Sequence, residues 1–358
     1  MKKFIGSLAL AGLISASSFA GTITVAHSDL ELSGALTAGF FAVDKSNNNG
    51  AQDTFKITAV DITLTDKVND TIGFVADLGK TEQDTLLTAD ITQNNQNFGV
   101  DFAYVSIRPL DNLTIDAGVI TTNIGYELYH TYENSNIFFG MVWNAQPVTY
   151  AGARITFEAA ENLSLYFEYN QDSGSYGTIN YTEAFATGII GNIFGLDYAI
   201  SYYDYAGFKN LVDFVLSGSF GNIDFAINFD YQWMDDKTKN SIKNQGAVSV
   251  DDHAYGVALY LTPHLTEQIS VPIRLEYVND GQSKDNAGNE VDTGLYGIPG
   301  DFAYSITITP TYQPTKNSYI RAELGYVKTD QLNNDFQNNA GKSYDHRYVY
   351  AIEAGYMF

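Results

Sequence analysis

Residues 348–358 read Tyr-Val-Tyr-Ala-Ile-Glu-Ala-Gly-Tyr-Met-Phe, and their alternation decides the fold. Tyr348, Tyr350, Ile352, Ala354, Tyr356 and Phe358 share one face of an extended chain. Val349, Ala351, Glu353, Gly355 and Met357 share the other. One face is apolar and ends in two aromatics; the opposite face is small or charged. A period of two sustained to the last residue predicts a strand with one apolar side and one polar side.

Upstream, the same pattern recurs. The first strand is expected at 29–44, with Leu30, Leu32, Leu36, Ala38 and Phe40 on one face. Others follow at 54–65, 70–79, 97–108, 112–122, 148–158, 163–171, 184–194, 196–204, 211–220, 222–234, 253–262, 269–279, 301–310, 318–328 and 346–358. Sixteen is the expected number. Fourteen or eighteen stay open, because 184–204 is interrupted by glycine and 54–65 changes phase near Ala59–Val60, the mark of a bulge. Most segments match the ~9–11 tilted residues that cross a bilayer as a strand. Short connections, such as Asp66–Asp70, Pro109–Asn112, Gly221–Asn222 and Gln313–Asn317, alternate with long ones at 45–53, 80–96, 123–147, 172–183, 205–210, 235–252, 280–300 and 329–345. Short turns on the periplasmic side and long loops outside are the asymmetry of an antiparallel transmembrane β-barrel. Pro272 is the misfit, lying inside 269–279, where it forfeits a ladder hydrogen bond.

The N-terminus predicts export. Lys2 and Lys3 precede an apolar run, Phe4–Ile14, and Ser18-Phe19-Ala20 fits a cleavage site. The run is too short for a spanning helix, which needs ~20 residues. Residues 1–20 therefore read as a signal peptide and 21–358 as one barrel domain. With no cysteine, stability must come from sheet closure and packing. The net charge of −23 becomes −25 once Lys2 and Lys3 leave, which excludes nucleic acid as a partner. The 26 tyrosines and 22 phenylalanines suit strands with aromatic girdles in outer-membrane lipid.

Apolar faces are nearly pure in three strands: Phe98, Val100, Phe102, Tyr104; Ile223, Phe225, Ile227, Phe229, Tyr231; and Tyr255, Val257, Leu259, Leu261. Arg154, Arg274 and Arg321 fall mid-strand on the polar faces. An arginine facing lipid near the midplane costs ~2–4 kcal/mol, so these should point inward. The same phase brings in Glu31, Asp77, Asp101, Asp116, Glu168, Asp197, Asp213, Asp224, Asp230, Glu276, Glu323 and Glu353. Such charge suits a water-filled interior, for which sixteen strands are wide enough. Acids outnumber bases there even if Arg274 pairs with Glu276 and Arg321 with Glu323, so the channel should favour cations.

The longest loop, 123–147, carries Tyr126, Tyr129, Tyr132, Phe138, Phe139 and Trp143 beside Glu127 and Glu133. Around it the chain resembles the outer-membrane β-barrel porins of the OmpL-like porin-2 type. Leu113-Thr114-Ile115-Asp116-Ala117-Gly118, Gly125-Tyr126-Glu127, Pro147 and Tyr150-Ala151-Gly152-Ala153-Arg154 carry the resemblance. The family pattern has a basic residue where this chain has Val119. The resemblance implies a diffusion pore for small hydrophilic solutes and ions, with 123–147 folded inward as a constriction lined by Glu127 and Glu133. A homotrimer is compatible with it. The terminal strand likewise resembles the signal read by the barrel-assembly machinery, with Tyr356 and Phe358 as its end.

Rival classes are a structural or adhesin-like barrel and an outer-membrane hydrolase. His27, His130, His253, His264 and His346 lie in no lipase-like Ser/His motif, so no catalytic residue is assigned. The oxygen donors of 279–290 miss the EF-hand spacing and read as a solvated turn. No cofactor or metal is expected.

Overall fold

The computed structural model describes residues 23–24, 30–47, 50–66, 71–92, 98–172, 174–176, 179–291 and 294–358. The expected signal peptide, 1–20, lies outside the described residues. Sixteen strands form the wall. They are β1 Glu31–Val43, β2 Gln52–Asp66, β3 Ile72–Thr81, β4 Gly99–Leu110, β5 Leu113–Thr121, β6 Thr149–Ala160, β7 Leu163–Asn170 and β8 Ala184–Ile193. The second half comprises β9 Leu196–Tyr205, β10 Lys209–Phe220, β11 Ile223–Met234, β12 His253–Pro263, β13 Ile273–Asn279, β14 Phe302–Ile308, β15 Ser318–Gln337 and β16 Ser343–Met357. Each pairs antiparallel with the next, and β16 pairs with β1 from Ala35 opposite Met357 to Val43 opposite Val349. Phe358 continues that seam, exchanging backbone hydrogen bonds of 3.0 and 3.1 Å with Gly34. The closed ring removes the free edges that an open sheet would expose.

Alternation sorts the wall into two faces. On β16, Tyr348, Tyr350, Ile352 and Tyr356 point out, while Val349, Ala351, Glu353 and Met357 are buried. On β11, Phe229 and Tyr231 point out, whereas Ala226, Asn228 and Asp230 are enclosed. Pro272 breaks the expected 269–279 strand into Ile269–Ser270 and β13. Pro310 likewise separates β14 from Thr311–Thr315. The carbonyls of both prolines still accept, from Thr309 at 2.8 Å and Ala322 at 3.1 Å, so each break forfeits a donor and no more.

The structure corrects the phase of β4. Phe98 and Val100 are 64% and 61% exposed, yet Phe102 and Tyr104 are buried. The ladder shifts so that Asp77 opposes Phe102 and Leu78 opposes Val100, leaving Asp101 as the extra residue of a bulge. Past it, Val105 and Ile107 become the outward residues. The phase change expected in β2 lies at Thr58, since Thr37 opposes Ala59 and Ala38 opposes Ile57.

Two external segments also differ from expectation. β15 runs to Gln337 and β16 starts at Ser343, so most of 329–345 is hairpin rather than loop. Residues 235–252 contain a helix, α1 Asp236–Asn244, which buries Thr238 and Ile242 at i,i+4 spacing. Inside the wall, Leu86 and Ile91, then Ile137, Phe138, Met141 and Val142, then Leu295, Tyr296 and Ile298 pack into one apolar cluster. At the level of these three loops side chains occupy part of the lumen, and the expected water-filled interior is narrowed there.

Candidate functional site: the inner wall and its inserted loop

Residues 122–148 leave β5 and return to β6 through a closed neck, where the Thr122 amide donates to Val148 at 2.9 Å. Gly125 turns the chain inward with φ of +90°, a conformation a Cβ would strain. Beyond that turn the loop is irregular, so its amides and carbonyls need partners other than a ladder. The inward side chains of the wall supply them.

On one side, Asp213 of β10 accepts from the Gly125 amide at 3.2 Å. Asn228 of β11 accepts from Tyr126 at 3.2 Å, and Asp230 from the Gln146 side chain at 3.0 Å. Across the barrel, Arg274 of β13 bonds the Glu127 carboxylate, the Phe138 carbonyl at 2.9 Å and Glu276 at 3.3 Å. Glu276 accepts from Val142 at 3.1 Å, and Glu323 of β15 from Ile137 at 2.5 Å and Phe138 at 3.0 Å. Arg321 donates to the carbonyls of Asn134 and Thr131 at 2.7 and 3.0 Å. With anchors on β10, β11, β13 and β15, the loop crosses the lumen.

Each candidate residue thus has a place. Arg274 and Glu276 meet as an i,i+2 pair, but Arg321 pairs with Glu353 across the ladder at 2.7 Å, leaving Glu323 to the loop amides. Arg154 pairs with Glu168 at 2.7 Å, and Asp116 accepts from Ser106 at 2.7 Å. Asp224 stands apart, partly exposed and 2.7 Å from His264. Glu133 is also partly exposed, and it accepts from His130 at 3.1 Å. Tyr356 is outward on β16.

Asp61, Asp77, Asp101 and His130 offer ligand atoms all within 4.8 Å of one another. A divalent cation could use that set. Its imidazole already lies between two carboxylates, 3.3 Å from Asp77 and 3.1 Å from Glu133. Burial by itself would lower the His130 pKa, but the hydrogen bonds and charges of Asp77 and Glu133 outweigh it and push it well above the ordinary value. Sequence reading missed this cluster, because its members come from β2, β3, the β4 bulge and the loop.

Arg347 was also missed. Fully buried, it donates to the carbonyls of Thr88, at 2.7 Å, and Leu86. It shares the inward phase of Val349 and Glu353, so alternation alone could have found it.

Above the loop lies a cavity of about 720 Å³, edged by Glu82, Asp84, Asp90, Glu290, Asp335 and the Trp143 indole. Among the described residues neither lysine nor arginine lines it, although Lys56 pairs with Asp84 and Lys80 with Glu82. A neighbouring cavity of about 500 Å³ shares Gln83, Asn144 and Gly297 with it and is edged by Tyr129, Tyr205, Phe208, Tyr296 and Lys209.

Solved structures of similar fold are outer-membrane proteins. An anion-selective porin from Comamonas acidovorans aligns with a TM-score of 0.61 at 11% identity, over 93% of this chain and 100% of that one. Salmonella typhi OmpF in complex with daunomycin gives 0.61 at 12%, over 94% and 100%. OprD from Pseudomonas aeruginosa gives 0.58 at 12%, over 92% and 94%. At such identities the likeness is one of fold. No curated protein sequence matches. The model of the beta-barrel porin-2, OmpL-like family matches residues 29–358, and this chain belongs to that family of porin-like outer-membrane barrels.

Proposed function

We propose that the barrel is a non-enzymatic outer-membrane channel for passive diffusion of small hydrophilic solutes and ions, with preference for cations. The loop across the lumen carries this reading. Residues 122–148 are tied to five wall strands, from Asp77 on β3 to Glu323 on β15, so a solute must pass beside the loop rather than through an open cylinder. The loop narrows the path as a constriction. Cation preference rests on the charges that water can reach. Most wall carboxylates are engaged by the loop or by arginine, whereas the cavity above the loop is edged by five acids, of which Asp84 and Glu82 pair with Lys56 and Lys80, leaving an acidic excess among the described lining residues. One sign of charge at a mouth concentrates counter-ions and repels co-ions.

In this reading residues 1–20 are a cleaved signal peptide, and the barrel-assembly machinery recognises the strand ending in Tyr356 and Phe358. A homotrimer in the membrane is compatible with the outward faces. Purified protein in a planar bilayer under a KCl gradient tests the proposal. Discrete conductance with a cation-selective reversal potential at low salt is expected. Absence of conductance would leave a structural or adhesin-like barrel, and anion preference would overturn the charge argument.

A further inference from the structure

We propose that the 500 Å³ cavity beside the inserted loop binds a small zwitterion with an aromatic side chain, the chemistry of an aromatic α-amino acid. The inference rests on the channel reading for transit alone and deepens it by naming a solute class. Two groups of opposite charge line this cavity, Lys209 at the start of β10 and Asp172 just beyond β7. Lys209 is 6% exposed, and a cation buried that far is ordinarily paired. Among the described residues it meets no carboxylate at ion-pair distance. Its ammonium donates instead to two neutral acceptors, the Ala145 carbonyl at 3.2 Å and the Gln232 side chain at 2.7 Å. An ammonium has three N–H donors, so among the described residues one is left over. Asp172 likewise meets no cation there and accepts from the Tyr203 hydroxyl at 2.9 Å.

The other acids near Lys209 are committed elsewhere. Asp230 accepts from the Gln146 side chain at 3.0 Å, and Asp280 from the Tyr296 and Ile298 amides at 2.5 and 3.2 Å. Burial pushes the Asp172 carboxyl above its ordinary value, against the pull of the Tyr203 hydroxyl and of the Lys209 charge. The two charges thus feel one another without touching. The rest of the lining is largely aromatic or apolar, with Tyr129, Tyr205, Phe208, Tyr296 and Leu295. The Tyr205 and Phe208 rings meet edge-on and stand 4.9 and 5.7 Å from the Lys209 Nζ. A simple ion would answer one charge and leave the other unmet, and a neutral sugar would answer neither. A ligand carrying both signs answers both, and an aromatic side chain adds ring contacts to the walls. The volume also lies within the ~300–1,000 Å³ of small-molecule sites.

Phenylalanine is the probe. 3-Phenylpropionate and phenethylamine, which keep the ring but carry only one of the two charges, are controls, and glycine keeps both charges without the ring. Calorimetric titration of the full barrel at low ionic strength should give phenylalanine an affinity roughly tenfold or more above each control, the margin for losing one charge-assisted contact or the ring. Asp172→Asn should bring phenylalanine down to the level of phenylpropionate, and Lys209→Met to that of phenethylamine. Any control binding as tightly as phenylalanine overturns the inference, even if the Lys209 variant fails to fold. Undiminished phenylalanine binding by the Asp172 variant overturns it as well. Failure here is separable from failure of the channel reading. A barrel that conducts KCl but shows no saturable phenylalanine binding removes the site alone, whereas saturable binding by a non-conducting barrel removes the channel alone.

Discussion

Arg321–Glu353 and Lys328–Asp345 are ion pairs on the same two strands, β15 and β16, and they do different work. The first is 2.7 Å long with side chains 4% and 0% exposed; the second is 3.1 Å long with 36% and 32% exposed. Inside, Glu353 also accepts from the Tyr319 and Thr58 hydroxyls, each at 2.7 Å, while Arg321 reaches two loop carbonyls. Outside, the ions face water, and the pair holds little beyond itself. Desolvation makes the inner pair costly to break from one side, whereas solvent leaves the outer pair weak. Charge counted from sequence therefore overstates the charge offered to a passing solute, because much of it anchors a loop.

The sharpest way to break this contrast is to remove one inner cation. Arg274 is fully buried against Glu127 and Glu276. Arg274→Met strands two carboxylates in the interior, and loss of a buried partner typically costs about 3–5 kcal/mol. Expected outcomes are a lower unfolding midpoint, proteolysis within 122–148 and a larger conductance. Adding Glu127→Gln should return part of the loss, because one stranded charge is gone. A single variant as stable as the parent would show that the loop is not held this way.

Glu323→Gln asks less of the fold. The shape persists, but the amides of Ile137 and Phe138 lose a charged acceptor, and such bonds contribute about 1.5–3 kcal/mol each. Two bonds weakened rather than abolished should loosen the loop tip, read as faster amide exchange at 137 and 138. Exchange unchanged at those amides would mean that other contacts fix them.

How much of this was legible can be followed residue by residue. The period of two placed β11 and β16 with their faces, because each is bathed in lipid on one side and enclosed on the other. It failed at Phe102 and Tyr104, where the Asp101 bulge slips the phase and only the partner strand β3 reveals the extra residue. Proline flagged the break at Pro272, since a missing donor is a local property. The inward charges were legible as inward, and Arg274 with Glu276 as a pair, but the partners across the lumen were not. Glu323 serves amides at 137 and 138, over 180 positions away, and no periodicity encodes that distance. The acids of the external cavity lie in segments read as long loops, and closure of the barrel gathers them at one mouth.

Between those effects and the smallest lies a pH dependence. His130 has its pKa raised well above 6.5 by Asp77 and Glu133 against the opposing pull of burial. A raised histidine stabilises the folded form fully below its unfolded value, about 6.5, and the contribution is lost as pH rises through the folded value. Anchoring of the loop to β3 should therefore hold at acidic and neutral pH and weaken on the alkaline side. Asp61 and Asp101, packed in the same cluster, reinforce the sign, since a neutral imidazole leaves them facing Asp77 without a cation. Channel noise should grow with alkaline pH in the parent protein, and His130→Gln should remove that dependence. Noise rising toward acid instead would reverse the assignment.

The outer pair gives the smallest expected effect and closes the contrast. Lys328 and Asp345 face each other near the external end of β15 and β16, where Lys328 opposes His346 in the ladder. Asp345 also bonds His346 at 2.7 Å, so losing the lysine leaves the carboxylate with a partner and with water. Lys328→Met should then leave the unfolding midpoint nearly unchanged, and whatever shift remains should vanish in concentrated salt, where screening shortens to about 3 Å at 1 M. Arg321→Met on the same strand should lower the midpoint at every salt concentration, because no ion reaches its partner Glu353. A Lys328 variant as damaging as the Arg321 variant would mean that the exposed pair is coupled to the loop framework, and burial would no longer separate the two kinds of charge.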